Sequence, residues 1–318
     1  MRNLVTLPGN KAAIAALQAN YLPGQKINKS WETNAGTCAF SNNILSGIEL
    51  DKMYATEIEV GMYSLLKSCK EEPYDLVQAL RKTEYSMEEF DKAQDEEATG
   101  YIGMSTIDIA VAKYVLLRQS INGIGKDYRD IDKGRDIDIK CMCDAQLQRE
   151  RYKRRIMKII EYSECMQNVE LIHGDMLDYF DNFASDPKMF IYSDIPYTTN
   201  LRASNLYKID TDYNWHEKYA KKLADMTHSG KLKAKVMLCN YVNENMKNDI
   251  YCKELLKEGW TLYLIKDVNR PTVIKKDSKV RKKNKAVEAI FLNYKPINPT
   301  VGKERIFTYE DVYGKGVE

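Results

Sequence analysis

Apolar residues fall in two rhythms along this chain. Short unbroken runs, Met189-Phe190-Ile191-Tyr192-Ser193 above all, have the length and continuity of strands buried on both faces. Further strands are predicted over Lys29 to Glu32, Met53 to Thr56, Asn168 to Ile172, Lys235 to Cys239, Trp260 to Asp267 and Ala286 to Tyr294. Between them the apolar positions recur at helical spacing. Val60, Met62, Tyr63, Leu65 and Leu66 mark one helix within Glu59 to Ser68. Others are expected over Lys11 to Asn20, His216 to Met226 and around Asn245 to Lys257, and Thr37 to Leu45 should begin a helix or helical turn. Strands alternating with helices predict an α/β fold with a mostly parallel sheet. The last two strands, joined by a polar connection, are expected to form an antiparallel hairpin at one side.

The alternation breaks between residues 69 and 167. Acidic helical pieces from Glu71 to Lys92 lead to an apolar helix, Thr106 to Leu117. A turn cluster, Ile121-Asn122-Gly123-Ile124-Gly125, follows, then a charged loop and a basic helix from Gln146 to Tyr162. The expected organisation is one domain from residues 1–68 and 168–318, interrupted by a mostly helical domain over 69–167.

Composition narrows the picture. With 318 residues, 44% of them hydrophobic, the chain can bury a sizeable core. Its net charge of +2 does not announce a nucleic-acid binder, so basic surface must be local. Seven cysteines without a Cys-x-x-Cys pair suit reduced thiols better than a disulfide framework. No metal is expected: Cys141-Met142-Cys143 is the only close pair, and none of the three His lies near it. The chain shows no signal pattern and no run of membrane-spanning length, so a cytoplasmic protein is expected.

Candidate chemistry sits at strand ends. Asp194-Ile195-Pro196-Tyr197 follows the apolar run at 189–193, where open α/β sheets bind ligands. Asp194 can accept a hydrogen bond from an exocyclic amine, the carbonyl of Ile195 can accept a second, and Tyr197 offers a stacking ring. Pro196 keeps Ile195 out of the α region. Taken alone, the stretch is equally a strand ending in a Pro turn. Gly36, with Glu32 before it and Glu57 at the end of the next strand, fits a nucleoside cofactor or a plain strand-to-helix turn. Asp175 fits a ligand site or a helix N-cap. Arg149 to Lys158 and Lys275 to Lys285 are basic runs, read either as solvated faces or as phosphate contacts.

In order along the chain, these motifs resemble those of Dam-like, α-class (D12 type) DNA N6-adenine methyltransferases. Pro8-Gly9-Asn10-Lys11 resembles their N-terminal Gly-Gly-Lys motif, which touches the cofactor. Glu32-Thr33-Asn34-Ala35-Gly36-Thr37-Cys38-Ala39-Phe40 resembles their Glu-Pro-Phe-x-Gly-x-Gly-Ser loop, which binds S-adenosylmethionine; Cys38 stands at the second glycine. Glu57-Ile58-Glu59 resembles Asp-Ile-Asn, which implies that Glu57 holds the ribose. Gly174-Asp175-Met176 resembles the acidic site beside the cofactor's adenine. Asp194-Ile195-Pro196-Tyr197 resembles Asp-Pro-Pro-Tyr with Ile for the first Pro.

Ile121-Asn122-Gly123 with Lys126 resembles, more loosely than the other motifs, the family's Tyr-Asn-Gly stretch followed by Arg in the target-recognition region, and Arg129 is a further base-reading candidate. Val280-Arg281-Lys282-Lys283 with Val287-Glu288 resembles the family's C-terminal Arg-Lys-Lys-Val-Asp-Glu segment, and Arg270 is another DNA-contact candidate. The resemblance implies a Rossmann-like S-adenosylmethionine-dependent methyltransferase sheet with a helical target-recognition insertion. It implies methylation of a flipped adenine in double-stranded DNA at a short GATC-like site, as in restriction-modification. A monomer or weak homodimer is expected. The alternatives are an inactive methyltransferase-fold DNA-binding or regulatory protein, and an N4-cytosine or RNA methyltransferase.

Overall fold

The computed structural model describes residues 4–5, 14–123, 125–131, 139–196, 213–242, 246–269 and 285–314. The strands are β1 (Lys29–Glu32), β2 (Lys52–Glu57), β3 (Val169–His173), β4 (Met189–Asp194), β5 (Lys235–Val242), β6 (Thr261–Asn269), β7 (Lys285–Leu292) and β8 (Ile306–Phe307). The α-helices are α1 (Ala15–Gln18), α2 (Ala39–Asn43), α3 (Val60–Glu71), α4 (Pro73–Lys82), α5 (Met87–Ala98), α6 (Thr106–Gln119) and α7 (Ile139–Met166). They continue with α8 (Met176–Ala184), α9 (Tyr213–His228), α10 (Ile250–Leu255) and α11 (Tyr309–Tyr313).

The fold is mixed α/β with strand order β3-β2-β1-β4-β5-β7-β6-β8. It follows the Rossmann-like order through its first five strands. The pairs β1/β4, β4/β5 and β2/β3 are parallel. The expected antiparallel hairpin is β6 with β7, and β7 also pairs antiparallel with β5. By contacts the chain divides into two compact units, Met1–Ala15 with Ala35–Asp175 and Ala16–Asn34 with Met176–Glu318.

The first unit holds β2, β3 and helices α2 to α7. Three of its helices, α3, α5 and α6, begin where a side chain satisfies free N–H groups. Glu59 caps α3, accepting from Gly61 and Met62 N–H at 2.9 and 2.8 Å. Ser86 and Ser105 cap α5 and α6, and Pro73 opens α4, where its missing N–H costs nothing. Phe90, Ala93, Tyr101, Ala112, Val115 and Leu116 form one apolar cluster of the helical segment. The helix α7 begins at Ile139, ahead of the Gln146 suggested by the sequence, and buries Tyr152, Ile156 and Ile159.

The second unit holds the remaining strands with α1 and α8 to α11. Met189 to Ser193 of β4 are all buried, as their unbroken apolar character dictates. Trp31 of β1 packs against Phe183 and Phe180 of α8, with ring centroids 4.5 and 5.9 Å apart. Phe180 meets Tyr219 of α9 edge-on at 5.4 Å. Burial of each such ring is worth roughly 1.5–3 kcal/mol, enough to fix both helices against the strands. Lys29 Nζ pairs with Asp186 Oδ2 at 2.9 Å, tying β1 to the residues after α8. Among the described residues, no helix is long and apolar enough to cross a membrane.

Candidate functional site

In the first unit the site grows from the turn after β1. Ala35 N–H donates to Thr56 O at 2.8 Å, and Cys38 N–H donates back to Ala35 O at 2.6 Å. Gly36 has φ 50° and Cys38 φ 45°. Both lie in the left-handed region, which glycine enters freely and a side chain enters at a cost of about 1–2 kcal/mol. Cys38 therefore adopts a backbone conformation that glycine favours, with its side chain fully buried. The hydroxyl of Tyr162 donates to Thr37 O and anchors the turn to α7.

Glu57, the last residue of β2, locks this turn. Its Oε2 accepts from Gly36 N–H at 2.9 Å, and its Oε1 accepts from Glu59 N–H at 3.0 Å. Its backbone O accepts from Gly174 N–H at 3.1 Å. Burial raises the Glu57 carboxyl from its ordinary 4.5 to about 7; the Glu59 N–H, the Gly36 N–H and the charge of Lys113 oppose that rise, and the Glu59 charge adds to it. Gly36, Cys38, Glu57, Ile58 and Asp175 thus gather around the carboxyl ends of β2 and β3. Ile58 and Val60 are 38% and 40% exposed there. A carboxylate flanked by exposed apolar side chains suits a nucleoside, polar at the sugar and flat at the base.

Lys113 of α6 was not legible as a site-supporting residue. Its Nζ lies 2.9 Å from Glu59 Oε2 and 2.9 Å from Glu97 Oε1. The ion triad joins the start of α3 to α5 and α6, and burial works against the Lys113 charge while the two carboxylates more than restore it.

In the second unit the adjacent parallel strands β1 and β4 end together. Glu32 is level with Tyr192, and Thr33 N–H donates to Tyr192 O at 3.0 Å. Thr33 Oγ1 reaches Asn34 Oδ1 at 2.8 Å and Ser193 Oγ at 3.1 Å, and Ser193 Oγ lies 2.9 Å from the Tyr219 hydroxyl. Beneath, the Tyr192 hydroxyl donates to Gln18 Oε1 at 3.0 Å, and Gln18 Nε2 donates to Cys239 Sγ at 3.3 Å. This buried polar chain fixes the strand ends and was invisible in the sequence, because Gln18 and Tyr192 are far apart along it.

Asp194 is level with Cys239 of β5. It is partly exposed, whereas Ile195 is 2% exposed. A partly exposed acid is thus followed by a buried apolar side chain that anchors the backbone. Tyr192 ionises only well above its ordinary range, from burial first and then from the charges of Cys239, Asp194, Glu32 and Glu288. Met176, which opens α8, is buried at 2%.

Among the DNA-contact candidates, Lys126 and Arg129 are exposed on a constrained loop. Ile121 N–H donates to Asp127 O at 2.8 Å and Arg129 N–H to Gln119 O at 2.7 Å. Gln94 Nε2 holds the same loop through Gly125 O and Lys126 O at 3.1 and 2.8 Å. Asn122 lies in the adjoining helical turn Ile121–Gly123, and its side chain is outside the described residues. Asn10, Lys11, Tyr197, Arg270, Arg281, Lys282 and Lys283 also lie outside the described residues.

No protein-family profile matches the chain, and no curated protein matches it. Among solved structures the chain is similar to a precorrin-6y C5,15-methyltransferase from Geobacter metallireducens GS-15, at 8% identity over 88% of this chain and 86% of that one, with a TM-score of 0.33. It is also similar to the rRNA methyltransferase aviRa from Streptomyces viridochromogenes, at 12% identity over 90% of this chain and 84% of that one, with a TM-score of 0.28. At these scores neither likeness carries an argument about chemistry.

Proposed function

We propose that the protein is an S-adenosylmethionine-dependent methyltransferase acting on adenine N6 in double-stranded DNA. The observation that carries the reading is the end of β4: a partly exposed Asp194 followed by a buried Ile195 and by Pro196, beside the carboxyl end of β1. A carboxylate and a backbone carbonyl in succession can take both protons of an exocyclic amine. Accepting them draws the nitrogen lone pair out of the ring and makes it nucleophilic. The Asp194 carboxylate then receives the proton that N6 loses. Tyr197 is assigned to stacking on the extruded base, which offsets part of the cost of unpairing it.

The cofactor is assigned to the first unit's residues on their donor set. Glu57 suits ribose hydroxyls, since a carboxylate with two backbone donors keeps lone pairs for more. Ile58 and Val60 offer apolar contact to a nucleobase. When bound, S-adenosylmethionine supplies an electrophilic methyl group on a sulfonium. Asn10, Lys11, Asn34 and Asp175 are further cofactor contacts under this reading. Lys126 and Arg129 are assigned to base readout and Arg270, Arg281, Lys282 and Lys283 to the DNA backbone.

A second reading has its own observation. Both Glu57 oxygens already hold backbone N–H groups, and a buried thiol fills the turn at Cys38. Those features favour a methyltransferase-derived DNA-binding protein that takes no cofactor. Calorimetry with S-adenosylmethionine separates the two. Saturable binding together with N6-methyladenine in treated DNA supports the enzyme; tight DNA binding with no heat from the cofactor supports the second reading.

A further inference from the structure

The outer face of α7 carries charge that the assigned site does not use. Arg151, Lys153, Arg154, Arg155 and Lys158 are all exposed, while Tyr152, Ile156 and Ile159 turn inward. Arg151, Arg154, Arg155 and Lys158 stand at positions i, i+3, i+4 and i+7, so they form one stripe. Among the described residues none of the five side chains makes an ion pair or hydrogen bond. No acid falls between Arg151 and Lys158; Glu150, just before the stripe, is 3.5 Å from Gln146 Nε2. Arg81 and Lys82, at the exposed end of α4, extend the surface, and Arg81 donates to Met157 Sδ at 3.1 Å.

This arrangement is unfavourable for an isolated helix. Like charges at i, i+4, here Arg151 with Arg155 and Arg154 with Lys158, repel one another. The chain has acids to relieve them, but in this unit they collect on α5, at Glu88, Glu89, Asp91, Asp95, Glu96 and Glu97. The net charge of +2 therefore hides a segregation of sign. At about 1.5 Å rise per residue, Arg151 to Lys158 spans about 10 Å. That length faces about three phosphates of a nucleic-acid strand, at about 3.4 Å each along the axis.

We propose that this face of α7 binds the sugar-phosphate backbone of duplex DNA and sets the protein's position on it. The choice of DNA rests on the function proposed above; the match of stripe to phosphates does not. Cations that neutralise phosphates release counterions, so binding through α7 must depend steeply on salt. The contact carries no base information and lowers affinity for every sequence alike when removed.

The test is anisotropy of a labelled DNA duplex titrated with the full chain, without cofactor, at several salt concentrations. Changing Arg151, Arg154, Arg155 and Lys158 to Gln together should flatten the slope of log affinity against log salt by about 3, roughly 0.9 for each phosphate faced. Between 50 and 200 mM salt that equals a difference on the order of 10²-fold. A control with Lys218, Lys231, Lys233 and Lys303 changed to Gln removes the same charge from the other unit and should shift the slope by less than about one. Restoring the stripe with Lys at positions 151, 154 and 155 should restore the slope, which keeps the test valid if the Gln variant folds poorly. Equal slopes for stripe and control variants overturn the proposal. Tighter, α7-dependent binding to an RNA duplex overturns the choice of DNA. Methylation with an unaltered slope removes α7 and leaves the function standing; α7-dependent binding without methylation does the reverse.

Discussion

Replacing Glu57 by Gln removes the carboxyl that locks the Gly36 turn and retains its proton to about pH 7. The interval from 4.5 to about 7 is equivalent to about 3 kcal/mol, reduced to about 2 kcal/mol for a side chain that is only partly buried. The sign follows from the direction. A carboxyl whose folded pKa is raised binds its proton more tightly in the folded state, so its favourable contribution is complete below about pH 4.5. It is lost as the pH rises through about 7. Above that, the folded protein holds a poorly hydrated carboxylate with two N–H donors as partial compensation. Gln does not titrate. Urea unfolding of the wild type and of Glu57→Gln, measured from pH 4.5 to 8.5, should give a stability difference that moves by about 2 kcal/mol in favour of Gln as the pH rises. A difference that stays constant across that range refutes burial of the Glu57 carboxyl as the cause.

Three further outcomes are expected. Asp194→Ala should abolish methyl transfer in a labelled-methyl assay while leaving DNA affinity by anisotropy within about twofold, since the proposed function assigns Asp194 to the amine and not to phosphates. At Cys38, φ 45° makes glycine an easy replacement: Cys38→Gly should stay within about 1 kcal/mol of the wild type in urea, whereas the β-branched Cys38→Val should lose about 2 kcal/mol or more. Lys113→Met should cost about 3 kcal/mol in the same assay, because it leaves the Glu59 and Glu97 carboxylates facing each other without their shared cation.

The strands were legible because burial on both faces leaves no choice of residue. Lys29–Glu32 is β1 as the pattern gave it, and β4 extends the run at 189–193 by one residue. Helices were legible where an apolar face repeats, as in α3 and α6. The start of α7 was not, because its first turns carry no such repeat before Gln146. The pattern marked α8 only through Asp175 as one reading, a helix N-cap, and did not reveal its packing through Phe180 and Phe183. Candidate site residues stand out by local order, Gly36 before Glu57 and Asp194 after a buried strand. Their supports do not. Lys113, and the chain from Gln18 through Tyr192 to Cys239, depend on partners brought near only by folding. The left-handed backbone at Cys38 was likewise hidden, since its residue type disguises a position that glycine would have announced.

Methyl transfer to adenine N6 is the reaction proposed here for the chain. Its most direct test is incubation of the full chain with methyl-labelled S-adenosylmethionine and unmethylated genomic DNA, followed by mass spectrometry of the digested nucleosides. Label is expected in N6-methyladenine alone, and is lost with Asp194→Ala. Label in N4-methylcytosine, or no label in DNA under conditions where the protein binds both cofactor and duplex, contradicts it.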